Sequence, residues 1–276
     1  MGPAQRGFSL VEMVMVIVIT GIVAAITAAF VQKPLQAYFE TSERAALSDV
    51  ADLALRKMQR DIRRALPNSV RTTSTGGNVY LELIPTLAAG RYENGAPTDG
   101  CFTGSCTGMT ALGNVIANAH DYSGRSLVIA NSSNNSPPGC ASPSVYCGDN
   151  SAVIQDSSPS GTASLQKGNI TFISAAHFGG ATAGRRFHIV EGPVTYECDG
   201  TGRRLTRYWG YALQASQPTG FAGASSALLA DGVNCSFSYL AQGNYRALAI
   251  LTLVLARPGS AESVALSHQV AVNNVP

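Results

Sequence analysis

One carboxylate stands in an otherwise uncharged stretch. From Phe8 to Val31 the chain reads FSLVEMVMVIVITGIVAAITAAFV, 24 residues in which Glu12 is the sole ionisable side chain. As a helix this stretch is about 36 Å long, enough to cross a hydrocarbon core of about 30 Å. A charge inside a spanning helix costs at least about 2.5 kcal/mol, so it needs a partner and marks a function. Ahead of it lies a short polar leader, MGPAQRG, with one positive charge at Arg6. A secretory signal fits poorly, because its apolar core is only about 7–15 residues long. Here the run passes through Ala24-Ala25-Ile26 and continues to Val31. A plain membrane anchor accounts for the length but not for Glu12.

No other residues assemble an active site. The four histidines, His120, His177, His188 and His268, are scattered without metal-ligand spacing. There is no phosphate-binding loop ending in Gly-Lys-Ser/Thr and no Gly-x-Ser-x-Gly elbow. The reading is therefore of a non-enzyme with no cofactor and no metal. The formal net charge is +2, and no basic run is interleaved with aromatics, so nucleic acid is not expected as a partner. Trp209, flanked by Tyr208 and Tyr211, offers a sugar platform, but packing is the commoner use of such aromatics.

The six cysteines all lie at or beyond Cys101 and include no Cys-x-x-Cys pair. An even set confined to one region reads as disulfides in an oxidising compartment. Val194, Tyr196 and Cys198 share one strand face; Val233, Cys235, Phe237 and Tyr239 share another. This phase pairs Cys198 with Cys235. Cys101 with Cys106, and Cys140 with Cys147, are paired as sequence neighbours, and crossed pairings stay open.

The elements that carry these residues follow from periodicity. Leu47, Val50, Ala54, Met58, Ile62 and Ala65 or Leu66 recur at spacings of three or four and form one helical face. Asp52 with Arg56, and Lys57 with Asp61, make i,i+4 pairs on other faces. Arg60, Arg63 and Arg64 suit the C-terminal end of the dipole as a solvated cluster. Pro67 and Asn68 stop the helix, which then spans Phe8–Leu66 with a bend expected at Pro34. Beyond it the period changes to two. Strands are expected at Val79–Ile84, Ser126–Ala130, Asn169–Ser174, Phe187–Val190, Val194–Cys198, Leu205–Leu213, Val233–Leu240, Ala247–Ala256 and Glu262–Val272. Leu248–Leu255 is apolar on both faces and should be a central strand.

Composition supports this division. The chain has 276 residues, of which 13% are charged, about half the usual share. Residues 86–168 are rich in Gly, Ser, Asn and Pro and read as a disulfide-stapled irregular excursion, a loop more than a binding site. The fold class is α+β: a long N-terminal helix, transmembrane and then amphipathic, packed on an antiparallel β-sheet head. The parts are a leader at 1–7, a spanning helix at 8–31, an amphipathic helix at 32–66 and a β-rich head at 67–276.

Gly7-Phe8-Ser9-Leu10-Val11-Glu12 resembles the processing motif of type IV pilins and pseudopilins. The resemblance implies cleavage by a prepilin peptidase between Gly7 and Phe8 and N-methylation of Phe8. It gives Glu12 the assembly register, through pairing with the terminal amine of a neighbouring subunit in a low-dielectric filament core. It implies other pilins and minor pilins, membrane lipid and an inner-membrane assembly machinery as partners, with the head periplasmic until assembly. Pilins commonly carry a helix-disrupting Pro near Ala29; here the nearest is Pro34. The Arg186–Cys198 stretch and the ending His268–Pro276 are similar to minor pilins of the mannose-sensitive haemagglutinin (MSHA) type IV pilus. Minor pseudopilins of type II secretion, of the J-like kind, and adhesive tip pilins share the same N-terminal pattern.

Overall fold

The computed structural model describes residues 7, 9–95, 97–113, 121–134, 139–140, 143–160, 167–182, 184–241, 246–257 and 262–275. Helix α1 runs unbroken from Leu10 to Arg63, 54 residues or about 80 Å. Pro34 lies inside it and has no N–H to give to the carbonyl of Phe30. The helix stops three residues short of Leu66 because those residues join the head. Leu66 N–H donates to Ile84 O at 2.7 Å, and Thr86 N–H donates to Arg64 O at 2.8 Å. Pro67 also disfavours helical geometry at Leu66.

The last four turns of α1 bury Ala51, Ala54, Leu55, Met58 and Ile62. Val50, expected on this face, is 39% exposed, because the stripe is centred one residue further on. The stripe lies against two antiparallel sheets. One has five strands in the order β1-β2-β9-β10-β11 (Arg71–Thr75, Asn78–Leu83, Val194–Asp199, Arg204–Trp209, Ser225–Asp231). The other is β12-β13-β14 (Val233–Ala241, Arg246–Ala256, Ser263–Asn273). β13 is the central strand, as its apolar character predicts. Ala247, Ala249, Leu251, Leu253 and Leu255 point into the core with Leu81, Leu83, Val194 and Tyr196. Each large side chain buried there contributes about 1.5–3 kcal/mol. β10 ends at Trp209, not at Leu213, because Gly210 turns the chain at φ 78°.

The middle of the chain departs from the sequence expectation. It is a closed six-stranded barrel in the order β3-β4-β7-β6-β5-β8 (Thr86–Tyr92, Cys106–Leu112, Lys167–Ala176, Ser151–Ser160, Ser126–Ile129, Arg186–Val190). A four-residue helix, α2 (Gly100–Thr103), precedes β4. β5, β7 and β8 fall where the sequence predicts strands, while low hydrophobicity hid β3, β4 and β6, since closing a barrel satisfies every edge by backbone bonds and leaves only the interior to be apolar. Tyr92, Met109, Leu127, Ile129, Ile154, Ile170, Phe172, Phe178, Phe187 and Ile189 fill it. β4 approaches β7 so closely at Gly108 that a Cβ there would stand 2.5 Å from Ile170 O.

The barrel is an insertion. β2 and β9 pair directly, with Leu83 opposite Val194, and β3–β8 occupy the sequence between them. A small third cluster, Leu66, Ile84, Val128, Val145, Tyr146 and Val190, joins the barrel to the helix–sheet unit. Three disulfides are present: Cys101–Cys106, Cys140–Cys147 and Cys198–Cys235.

Two buried charge clusters fasten these parts. Asp61 is only 6% exposed and not the surface partner its i,i+4 spacing suggests. Lys57 Nζ lies 2.9 Å from Oδ1, and the Tyr196 hydroxyl and Arg207 Nε donate to Oδ2 at 2.7 and 2.9 Å. Burial pushes this carboxyl up, but the bonds from Lys57 and Tyr196 and the Arg207 charge outweigh it and hold it below the usual range. In the second cluster Arg71 donates to Glu82 Oε1 through Nε and Nη2, at 3.0 and 2.8 Å. Its other bonds go to the carbonyls of Gln214 and Ala215. The Arg71 guanidinium lies 3.6 Å from the centre of the Tyr146 ring. Glu82 is fully buried, and desolvation raises its carboxyl despite Arg71.

Candidate functional site

The site begins where α1 begins. Ser9 takes the N-cap position in extended geometry, at φ −72° and ψ 143°, without a side-chain cap. Its carbonyl accepts from Met13 N–H at 3.2 Å, which closes the first turn. Glu12 lies in that turn. Unpaired N–H groups there carry partial positive charge and favour a carboxylate. Among the described residues Glu12 has no ion-pair partner, and its side chain is exposed. Gly7 is exposed ahead of the helix, and Phe8 lies outside the described residues.

The apolar part of α1 is not covered by the head. Leu10 is 80% exposed and Phe30 79%. α1 is long and apolar enough to cross a membrane, and none of its most apolar stretch is buried. The polar side chains within it are satisfied internally. Thr20 Oγ1 donates to Val16 O at 2.6 Å, and Thr27 Oγ1 donates to Val23 O at 2.7 Å. In a bilayer the hydroxyls of Thr20 and Thr27 are thus paired within the helix, and Glu12 is the ionisable side chain of the apolar run that seeks a partner. Gly21 has open space around it, so a neighbouring helix can approach closely there.

Residues 2–28 match the family described as the prokaryotic N-terminal methylation motif. The N-terminal segment is a prepilin-type methylation motif. The motif supports a type IV pilin-like or pseudopilin-like protein and is consistent with membrane anchoring through α1. No curated protein and no solved structure matches the chain.

The other candidate residues are dispersed. His177 Nδ1 lies 2.6 Å from Gly104 O, His188 sits in β8, His268 sits in β14, and His120 lies outside the described residues. No group of three metal-ligating side chains occurs among the described residues. The aromatic triplet is engaged. Tyr208 stacks on Phe221 at 4.4 Å, Tyr211 meets the same ring edge-on, and Trp209 lies 5.0 Å from Arg207.

Sequence reasoning missed Asp61 as an anchor of the helix on the sheet. A signal was present: Asp61 lies three residues after Met58 and directly before Ile62, on the edge of the apolar stripe. It also missed a grouping of basic residues. Arg63 and Arg64, which spacing assigns to a solvated helix end, meet Arg186 and His188 of β8 around one cleft.

Proposed function

We propose that this chain is a minor type IV pilin, similar to MshO of the MSHA pilus. It is inserted in the bacterial inner membrane with its head in the periplasm. It is cut between Gly7 and Phe8 by a prepilin peptidase, methylated on Phe8 and drawn into a filament with other pilins. The observation that carries the reading is the methylation motif at the head of a helix whose apolar half the head leaves bare. Such a surface is stored in lipid and then buried among the helices of neighbouring subunits. Cleavage creates an amine on Phe8, and the lone Glu12 carboxylate is the complementary charge for it in a dry filament core. A two-part head of this size suits a tip or priming complex, where fewer neighbours crowd it, and the assigned role is structural, not catalytic.

The reading is tested with Glu12→Leu. The variant is expected to insert and to be cleaved normally, yet to be absent from sheared filaments. Normal incorporation would remove the register role. A gene deletion then separates a pilus from a secretion pseudopilus: loss of surface filaments supports the first, and loss of exoprotein release with filaments intact supports the J-like pseudopilin instead.

A further inference from the structure

The C-terminal end of α1, the start of β3, the strand β8 and the last described residues enclose an open cleft of about 450 Å³. Its wall carries the guanidinium side chains of Arg63, Arg64 and Arg186 together with His188, and no described lining residue is acidic. These guanidiniums come from two separate elements, α1 and β8. None of the three makes a side-chain hydrogen bond or ion pair to another described residue. In this they differ from Arg44, Arg56, Arg71, Arg207 and Arg257, each of which has a carboxylate partner.

A second observation sits in the same wall. The Thr86 hydroxyl oxygen is buried and has no hydrogen-bond partner among the described residues, although Thr86 lines the cleft. A buried hydroxyl without a partner costs about 1–3 kcal/mol, so such groups are normally paired with protein, water or ligand. His188 is held neutral at pH 7, since burial first and the Arg186 charge second push it down to about 4. The positive charge of the cleft therefore comes from the guanidiniums alone.

Guanidinium groups with free N–H donors recognise carboxylate and phosphate oxygens in bidentate fashion. We propose that this cleft binds a small, soluble, multiply charged oxyanion, held by Arg63, Arg64 and Arg186 with the Thr86 hydroxyl as a further donor. Lipid headgroups are out of reach. Arg63 follows Val31 by 32 residues, which places the cleft about 48 Å beyond the end of the apolar run. The inference does not rest on the filament reading and holds for any protein built on this head.

The test uses the full chain in a neutral detergent, titrated calorimetrically with inorganic phosphate and, separately, with citrate at low ionic strength. Saturable binding of either probe is expected, and the preferred probe distinguishes a phosphate ligand from a carboxylate one. Arg64→Gln combined with Arg186→Gln should weaken binding at least about 100-fold while the melting temperature stays near that of the parent. Thr86→Val should weaken it several-fold. Arg60→Gln removes a nearby charge that does not line the cleft and should leave affinity within about twofold. Absence of binding by both probes overturns the proposal. So does an equal loss in Arg60→Gln, which would reveal only diffuse attraction to a basic helix end.

Discussion

The helix–sheet unit and the inserted barrel bury their strands in opposite ways. In the first, β13 lays an unbroken row of Ala and Leu side chains against one face of α1, and two sheets share that core. In the second, six short strands close on themselves and need no helix. The helix–sheet unit thus depends on a segment that also reaches out of the head, so any pull on the apolar end of α1 is felt by its core. The barrel meets this unit at the C-terminal end of α1, through the small cluster around Leu66 and the Thr86–Arg64 backbone hydrogen bond, away from the buried stripe of the helix. The membrane-length helix and the inserted barrel are therefore carried by different packing units of one chain.

The sharpest way to break this comparison is to remove the barrel. Replacing residues 84–193 with Asn-Gly would join Leu83 to Val194, which already face each other, through a tight hairpin turn. The shortened chain should still form Cys198–Cys235 and melt cooperatively by circular dichroism. Scrambled disulfides or loss of cooperative melting would mean that the two regions fold as one.

Arg71→Leu strikes the join itself. It leaves Glu82 buried without its partner and removes the guanidinium from the Tyr146 ring, at a cost of about 3–5 kcal/mol in urea unfolding. Adding Glu82→Gln should recover part of this loss. If it recovers none, the Tyr146 contact matters more than the ion pair.

Disulfides sharpen the comparison by loop length. Opening Cys198–Cys235, which spans 37 residues, should cost the helix–sheet unit about 4 kcal/mol. Opening Cys101–Cys106 should cost the barrel about 2 kcal/mol, because the loop spans only 5 residues. Equal losses in the two double-serine variants would show strain, not chain entropy, in control.

Acid should separate the regions as well. His188 in the barrel titrates near 4 when folded and near 6.5 when unfolded, so its contribution is present above pH 6.5 and fades as pH falls toward 4. The loss is at most about 3 kcal/mol. Asp61 in the helix–sheet unit is held below 3.8, so its contribution is full above that pH and is lost only below it. Glu82 is raised above 4.5, and its protonation as pH falls toward 4.5 relieves a buried charge. Hydrogen-exchange protection factors, corrected for the intrinsic rate at each pH, should therefore fall at Leu127 and Ile189 from pH 7 to pH 5, and not at Leu251 and Leu253. His188→Phe should flatten the difference.

The sequence was uneven as a guide for the same physical reason. α1, β13 and the motif at Gly7–Glu12 are legible because a single element carries its own apolar period or its own chemistry. In the barrel β5, β7 and β8 are legible as strands, but β3, β4 and β6 are not, since TGMTAL in β4 and SAVIQDSSPS in β6 make sense only once a closed neighbour ring supplies their hydrogen bonds. The same holds for charges. Lys57 and Asp61 look like a surface pair until Tyr196 and Arg207, more than a hundred residues later, arrive on the same carboxylate. Arg64 and Arg186 are equally distant in sequence, and only the meeting of α1 with β8 makes them neighbours of one cleft.

The direct facing of Leu83 and Val194 has a consequence for how such heads diversify. Strand partners across an antiparallel pair lie only about 5 Å apart, so the tip of β2–β9 is a socket that accepts any cargo whose two ends are close together. A lineage can exchange what is plugged in there, lengthening or replacing it wholesale, without rewriting one residue of the methylation motif or of the helix behind it.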